Sequence, residues 1–195
     1  QALILCPTRE LASQVANEIR RLARYQQNIK VVTLCGGQSI GPQIGSLEHG
    51  AHVVVGTPGR IKDHLHKETL SLERISTLVL DEADRMLEMG FIDDIATIIG
   101  KTPSSRQTLL FSATFPDNIQ LLSSRFQNSP QRISVESLHD DQQISQRFFV
   151  CHKNGQLPAL LKLLATCQPA IAVVYCNTKV LAREVDKYLD RSRIH

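Results

Sequence analysis

The stretch LVLDEADRMLEMGF, residues 78–91, carries an apolar run that ends abruptly in three carboxylates, Asp81, Glu82 and Asp84. A short apolar run bounded by polar residues is typical of a β-strand that is buried on both faces. A carboxylate held rigidly where such a strand ends suits a hydrated Mg²⁺ ion that carries substrate phosphates. The sequence therefore predicts that Asp81 closes a buried strand at a functional site.

The carboxylates that follow Asp81 suit other tasks. Glu82 is a candidate to orient or deprotonate an attacking water, and Asp84 can hydrogen-bond a neighbouring loop. Ser112 and Thr114 follow a later apolar run and offer the hydroxyl groups for such a contact. A structural alternative stays open, because acidic residues also stabilise the N-terminus of a following helix.

Apolar runs of this kind recur along the chain and alternate with segments of helical period. In segment 10–25 the apolar residues share one helical face, namely Leu11, Val15, Ile19 and Leu22. Apolar strands separated by helices indicate an α/β fold with a parallel sheet that is covered by helices on both faces. The predicted strands are 2–6, 30–35, 52–56, 77–80, 108–111, 147–151 and 170–176.

A polar stretch at 135–146 interrupts this alternation. We place a first domain at 1–136, a linker at 137–145 and the start of a second α/β unit at 146–195. The chain starts without methionine and stops just beyond a helical segment, which we interpret as a piece of a longer protein. A second unit of two strands and two helices is too small to bury a core by itself.

Composition narrows the class of protein. A net charge of +3 is too weak to indicate nucleic acid by itself, and no apolar run approaches the roughly 18 residues of a membrane span. The five cysteines lack C-x-x-C spacing and are predicted to be buried free thiols of a reducing compartment. His64 and His66, two positions apart on a helix, would point to different faces, which disfavours a metal site. We expect a cytoplasmic protein without a membrane partner.

Polar or glycine-bearing clusters follow the predicted strands. Ligands of open parallel sheets bind outside the carboxyl ends of the strands, so these clusters predict one continuous functional edge. Gly36 and Gly37 would let a ligand backbone approach closely. Thr8 with Arg9, like 57–60, places an arginine at a helix start, where phosphates bind, although helix capping explains Thr57 and Pro58 equally well. The clusters are 7–10, 36–37, 57–60, 81–84, 112–114 and 177–178.

Residues 100–102, Gly-Lys-Thr, look like the end of a phosphate-binding loop. Such a loop needs a further glycine five positions earlier, where Ile95 stands, and it must follow a strand. Here a helical run precedes, so we interpret Gly100 as a helix C-cap and Lys101 as a cation in the last turn. The carboxylate half of a nucleotide site is present without the half that holds the phosphates.

Six motifs follow one another along the chain: PTRELA (7–12), GG (36–37), TPGR (57–60), DEAD (81–84), SAT (112–114) and VVYCNTK (173–179). Their order and approximate spacing resemble those of the DEAD-box RNA helicases over essentially the whole chain. The stretches QALILCPTRELASQV, RRLARY and TLCGGQ are similar to the bacterial DbpA type, which acts in large ribosomal subunit assembly. The resemblance implies part of one RecA-like domain and the start of a second, which together flank a cleft for ATP.

The resemblance also implies roles for single residues. ATP and Mg²⁺ would be the cofactors, with Asp81 at the metal and Asp81 and Glu82 at the nucleotide. The catalytic group would comprise Asp81, Glu82, Asp84, Ser112 and Thr114, the last three coupling the nucleotide state to RNA strand separation. The residues expected to grip the sugar–phosphate backbone of RNA are Thr8, Arg9, Gly36, Gly37, Thr57, Pro58, Gly59, Arg60 and Thr178, while Asn177 shares the motif of Thr178.

We expect a monomeric RNA helicase that couples RNA-stimulated ATP hydrolysis to local duplex unwinding, with ribosomal RNA as its partner. The phosphate-binding loop and the later arginines of the family are missing from these residues, so the chain by itself is predicted to be inactive. Two alternatives stay open, a helicase directed to DNA and an RNA-binding or scaffolding module without catalysis. A metal-dependent hydrolase built on Asp81, Glu82 and Asp84 would lack further ligands.

Overall fold

The computed structural model describes residues 1–135, 145–152 and 155–192. The chain divides into two compact units, unit 1 (Gln1–Ile133) and unit 2 (Ser134–His195). Within the described residues, no helix is both long enough and apolar enough to cross a lipid bilayer.

Unit 1 is built on a parallel sheet of five strands. These are β1 (Ala2–Leu5), β2 (Val31–Leu34), β3 (Val53–Gly56), β4 (Thr77–Leu80) and β5 (Gln107–Leu110). They pair in the order β2-β3-β1-β4-β5, and every pairing is parallel. The five strands predicted in this part of the chain are confirmed, each to within one residue at either end.

Helices connect the strands of unit 1, and a last helix follows β5. They are α1 (Arg9–Leu22), α2 (Gly41–Leu47), α3 (Pro58–His66), α4 (Ala83–Glu88), α5 (Ile92–Ile99) and α6 (Asp117–Phe126). A 3₁₀ turn, Ala23–Tyr25, follows α1. Parallel strands need such crossovers, because the chain must return from the carboxyl end of one strand to the amino end of the sheet before the next strand begins.

Side chains alternate between the two faces of the sheet and enter two separate cores. Leu3 and Leu5 of β1 belong to a cluster with Ile61 of α3 and Ile95 of α5. The intervening Ile4 enters a second cluster, which α1 covers. Each fully buried Leu or Ile side chain contributes about 2 kcal/mol. The prediction of helices on both faces of the sheet is confirmed.

Helix α1 packs on the sheet through small residues. Ala12 and Ala16 are fully buried, and Leu11, Val15 and Ile19 pack around them. The spacing places Leu22 on the same side of the helix as Leu11 and Val15, as predicted. That face does not reach the core at Leu22, which lies in the last turn of α1 and is 74% exposed.

Unit 2 contains helices α7 (Gln156–Cys167) and α8 (Lys179–Arg191), which contact each other. The strands predicted at 147–151 and 170–176 were wrong, because neither segment pairs with another strand. A strand is stable only when a neighbour takes up its backbone N–H and C=O groups, and the described residues of unit 2 supply none. The linker predicted at 137–145 lies outside the described residues except for its last position.

All five cysteines are free. Cys6 and Cys35 are buried as predicted, whereas Cys151 and Cys167 are exposed and Cys176 is half-buried. The prediction of burial was wrong for Cys151 because the strand expected around it does not form. It was wrong for Cys167 because this residue ends α7 on its exposed side.

Gly56, the last residue of β3, tests the tightness of this packing. A Cβ atom there would lie 2.4 Å from the carbonyl oxygen of Leu34 and 2.9 Å from Cδ1 of Ile61. We expect Gly56→Ala to lower the free energy of unfolding by about 2 kcal/mol, measured by urea denaturation. The control is Gly45→Ala in α2, where a Cβ atom meets nothing within 4 Å and the change should not exceed about 1 kcal/mol. Equal stability of both variants would contradict the packing described.

Candidate functional site

The carboxyl ends of the five strands lie side by side because the strands pair without stagger. Leu5 pairs with Gly56 and with Leu80, while Gly56 also pairs with Leu34 and Leu80 with Leu110. The residues that follow therefore share one edge of the sheet, which we call the site edge. It carries the predicted clusters 7–10, 36–37, 57–60, 81–84 and 112–114.

Asp81 and Glu82 follow β4, so on the site edge they lie between the clusters that follow β1 and β5. The N–H of Asp81 donates to the carbonyl of Leu5 at 2.9 Å, and the N–H of Glu82 donates to Oδ1 of Asp81 at 3.1 Å. Asp81 is thus held by the neighbouring strand and by the turn that follows it. Glu82 is exposed and has a left-handed backbone with φ of 49°, a conformation that is uncommon for a residue with a side chain. The chain thus changes direction directly after Asp81, where α4 begins.

Asp84 joins the start of α4 to the loop after β5. Its Oδ2 accepts from Oγ1 of Thr114 at 2.8 Å and from the N–H of Thr114 at 3.0 Å. The N–H of Asp84 donates in return to Oγ of Ser112 at 3.3 Å. The hydrogen bond that the sequence predicts between Asp84 and a neighbouring loop is present.

These bonds set the charge state of Asp84. Burial by itself would raise the pKa of the carboxyl, but the hydrogen bonds from Thr114, the N–H of Arg85 and Ser112 outweigh it and hold the pKa below its ordinary value. Asp84 therefore stays ionised at neutral pH and bonds the 112–114 loop as a carboxylate.

The paired glycines after β2 lie beside Arg9. Gly37 has φ of 74°, and a Cβ atom there would lie 2.5 Å from Nη1 of Arg9. The Arg9 guanidinium therefore occupies the space beside Gly37. Gly36 is different, since a Cβ atom there would meet nothing within 4 Å, and its backbone is open to a ligand.

Two helices begin at the site edge. Thr8 caps α1, where its hydroxyl accepts from the N–H of Leu11 at 3.2 Å. Thr57 occupies the capping position of α3 without a side-chain bond, and Pro58 is the first helical residue, as predicted. A Cβ atom added at Gly59 would make only an ordinary contact with Asp94.

Arg60, in the first turn of α3, is held below the surface of this edge. Its side chain is 9% exposed, and its Nη2 donates to the carbonyl of Gln38 at 2.8 Å. Its Nε lies 3.5 Å from Oδ2 of Asp63, and within the described residues neither Nε nor Nη1 has a hydrogen-bond partner. Arg60 therefore supports the loop after β2 as well as facing the edge.

Sequence reasoning missed polar residues that lie behind the site edge. Gln43 and His64 are buried and bonded to each other, and Lys62 pairs with Asp94 at 2.6 Å. One signal was available for Gln43, because its spacing from Ile40 and Leu47 places it on the apolar face of α2. The partner of a buried polar residue cannot be read from such spacing.

Two further predicted features belong to other parts of the chain. Gly100 ends α5 and its N–H donates to the carbonyl of Ala96, which confirms the helix C-cap and excludes a phosphate-binding loop at 100–102. In unit 2, Thr178 caps α8 by accepting from the N–H of Leu181 at 3.1 Å, and Asn177 beside it is exposed.

The edge just described can be compared with known proteins. A family model described as DEAD/DEAH box helicase matches residues 1–122, more than half of the chain. This chain belongs to the DEAD/DEAH box helicase family. The resemblance that the six motifs carry is thereby confirmed.

Relatives of known name agree with this assignment. The chain is 54% identical over 179 residues to the ATP-dependent RNA helicase DbpA of Escherichia coli (strain K12), a match that covers 92% of this chain and 39% of that protein. It is 46% identical to the ATP-dependent RNA helicase CshA of Listeria monocytogenes, over 97% of this chain and 36% of that protein. The likeness to the DbpA type is confirmed, and the chain spans about two fifths of the length of these relatives.

Solved structures confirm the predicted RecA-like fold class. The crystal structure of a DEAD box protein from the hyperthermophile Methanococcus jannaschii superposes with a TM-score of 0.66 at 37% identity, covering 99% of this chain and 52% of that one. The crystal structure of a hypothetical ATP-dependent RNA helicase from Sulfolobus tokodaii gives a TM-score of 0.63 at 42% identity. That match covers 67% of this chain and 39% of the other.

Removing the Thr114 hydroxyl tests the contact with Asp84. We expect Thr114→Val to raise the pKa of Asp84, measured by NMR titration of its carboxyl carbon. Because the folded-state pKa lies below the ordinary 3.8, the stabilisation by Asp84 is complete above pH 3.8 and is lost as the pH falls through the folded pKa. The stability advantage of the wild type over Thr114→Val should therefore be largest near pH 7 and shrink towards pH 3.

The control is Thr97→Val, which removes a hydroxyl that bonds the carbonyl of Asp93. This variant should leave the pKa of Asp84 unchanged. An unchanged Asp84 pKa in Thr114→Val as well would show that the contact contributes nothing to the charge state.

Proposed function

We propose that this chain is the part of an ATP-dependent RNA helicase that joins ATP hydrolysis to RNA binding. The observation that carries the proposal is the pair of hydrogen bonds from Thr114 to Asp84. They tie the carboxylate cluster to the 112–114 loop on an edge that also carries two helix starts and an open glycine. Family membership supplies the reaction class, and RNA-stimulated hydrolysis of ATP coupled to local duplex separation is the activity proposed for the full-length protein.

Asp81 is the residue proposed to hold Mg²⁺. Its carboxylate ends a buried strand, and the backbone on both sides is fixed by hydrogen bonds. Within the described residues, no group of three or more His, Cys, Asp or Glu side chains could enclose a metal ion. This donor set fits a hydrated ion held by one carboxylate together with substrate phosphates. When bound, Mg²⁺ would neutralise the charge of the ATP phosphates.

Glu82 is proposed to orient and activate the attacking water. It is exposed, it stands one residue beyond Asp81, and its backbone is left-handed. A carboxylate in hydrogen-bond reach of a water accepts its proton as the water attacks a phosphoryl group. Asp84 stays out of this chemistry, because its carboxylate is occupied by Thr114 and by the N–H of Arg85.

The RNA backbone is proposed to lie along the other half of the site edge. The N-termini of α1 and α3 present N–H groups and a positive dipole end to phosphate, with Thr8, Arg9 and Gly59 beside them. Gly36 allows a close approach of the sugar–phosphate chain. Contacts of this kind carry little sequence information. Ribosomal RNA as the partner, Thr178 as a further contact, a cytoplasmic location and a monomeric state are inferred from the likeness to the DbpA type.

Replacing the proposed water-activating group tests the reaction. We expect Glu82→Gln in the full-length protein to lower RNA-stimulated ATP turnover by at least about 100-fold, measured as steady-state phosphate release with and without RNA. The control is Glu88→Gln, which removes the same charge at the end of α4 and should keep turnover within about twofold of the wild type. If the wild type shows no more ATP turnover than Glu82→Gln, a binding module without catalysis is favoured.

The 195-residue chain allows a separate test of which parts suffice for catalysis. It holds the carboxylates but, within its sequence, no phosphate-binding loop. We therefore expect no RNA-stimulated phosphate release from this chain under conditions in which the full-length protein turns over. Clear turnover by these residues would show that they bind the ATP phosphates in another way.

A further inference from the structure

A line of buried polar groups runs behind the site edge from the loop after β2 into α3. Gln43 donates from Nε2 to the carbonyl of Cys35 at 3.0 Å, and its Oε1 lies 3.3 Å from Nε2 of His64. Nδ1 of His64 lies 2.8 Å from Oγ1 of Thr69. Gln43 is 7% exposed and His64 is fully buried. We call Gln43, His64 and Thr69 the buried relay.

Each proton in the buried relay follows from its neighbours. The carbonyl of Cys35 can only accept, so the amide nitrogen of Gln43 must face it and the amide oxygen must face His64. His64 therefore carries its proton on Nε2, and Nδ1 accepts from the Thr69 hydroxyl. Burial lowers the pKa of His64 and the charge of Arg60 lowers it further, against the smaller effect of Asp63. The neutral ring thus holds Gln43 in the one orientation that bonds the β2 loop.

The β2 loop, residues 35–38, is fastened from two helices. Gln43 holds its first carbonyl, that of Cys35, and Arg60 holds its last, that of Gln38. His64 follows Arg60 by four residues and so lies on the same face of α3. Between the two fastened carbonyls stand only glycines, which without such restraints have many backbone conformations.

We propose that Gln43, held by His64, is a positioning residue that keeps the 35–38 loop in the conformation that binds RNA. The inference rests on the proposed function and extends it to residues that do not touch the ligand. Fixing a loop before binding removes the entropic cost of ordering it in the complex. The buried relay also links the glycine cluster to α3, so the two proposed RNA-contacting segments are ordered together.

The matched control is the residue that directly follows α6. Gln127 donates from Nε2 to the strand carbonyl of Thr108 at 3.0 Å, and its Oε1 accepts from the buried Ser123 at 2.7 Å. It makes the same two kinds of bond as Gln43, but to β5 instead of the β2 loop. Gln43→Leu and Gln127→Leu therefore remove equivalent hydrogen bonds from different places.

The test compares these variants in the full-length protein. We measure the Kd for a fluorescein-labelled single-stranded RNA and the amide hydrogen exchange of peptides that cover 35–38. Gln43→Leu should weaken RNA binding by about five- to tenfold and speed exchange in the loop, whereas Gln127→Leu should change neither. His64→Leu should weaken binding in the same direction, and the double variant with Gln43→Leu should lose no more than Gln43→Leu, since the two residues act as one unit.

Wild-type affinity in Gln43→Leu would overturn the proposal, as would an equal loss in Gln127→Leu, which would indicate a general loss of stability. The proposed function fails separately, if the wild type binds no RNA. In that case the exchange of 35–38 in Gln43→Leu still decides whether the relay orders the loop, and unchanged exchange would reject that role.

Discussion

Five strands of four residues pair in parallel with no stagger between neighbours, and the site depends on this register. Because the strands end level, the residues that follow them fall on a single line across the sheet. A shift of one residue in any strand would turn its side chains to the opposite face and displace its cluster from that line. The register is enforced by the two cores, since Leu3 and Ile4 each have a separate cluster to enter.

Different parts of the site edge are held in place to different degrees. Asp81 directly follows a strand that is fixed by its neighbours. The 112–114 loop depends instead on Asp84, and the 35–38 loop on Gln43 and Arg60. A contact that rests on two or three hydrogen bonds can be exchanged for another at small cost, because each contributes about 1 kcal/mol. Loops held in this way on a stiff sheet have the property that the proposed coupling to a nucleotide requires.

Much of this architecture could be predicted from the sequence, for a physical reason. Strands buried on both faces must be apolar at every position, so runs such as 52–56 are visible without any structure, and the polar residues after them mark the edge. The strand predicted at 170–176 does not form, because an apolar run does not reveal whether a partner strand exists. The exposure of Leu22 could not be predicted, because spacing shows which residues share a face but not which part of that face meets the sheet. Gln43 and His64 are 21 residues apart, and no local pattern connects them.

The most direct measurement is the map of amide chemical shifts of this 195-residue chain when single-stranded RNA is added. If the site edge binds the RNA backbone, the perturbed amides will lie at Thr8 and Arg9, at 36–38, and at Thr57, Gly59 and Arg60. A DNA strand of the same sequence will produce weaker changes because it lacks the 2′-OH. Perturbations at the opposite edge of the sheet, at the amino ends of the strands, would contradict the account. So would the absence of any change at RNA concentrations that saturate the full-length protein.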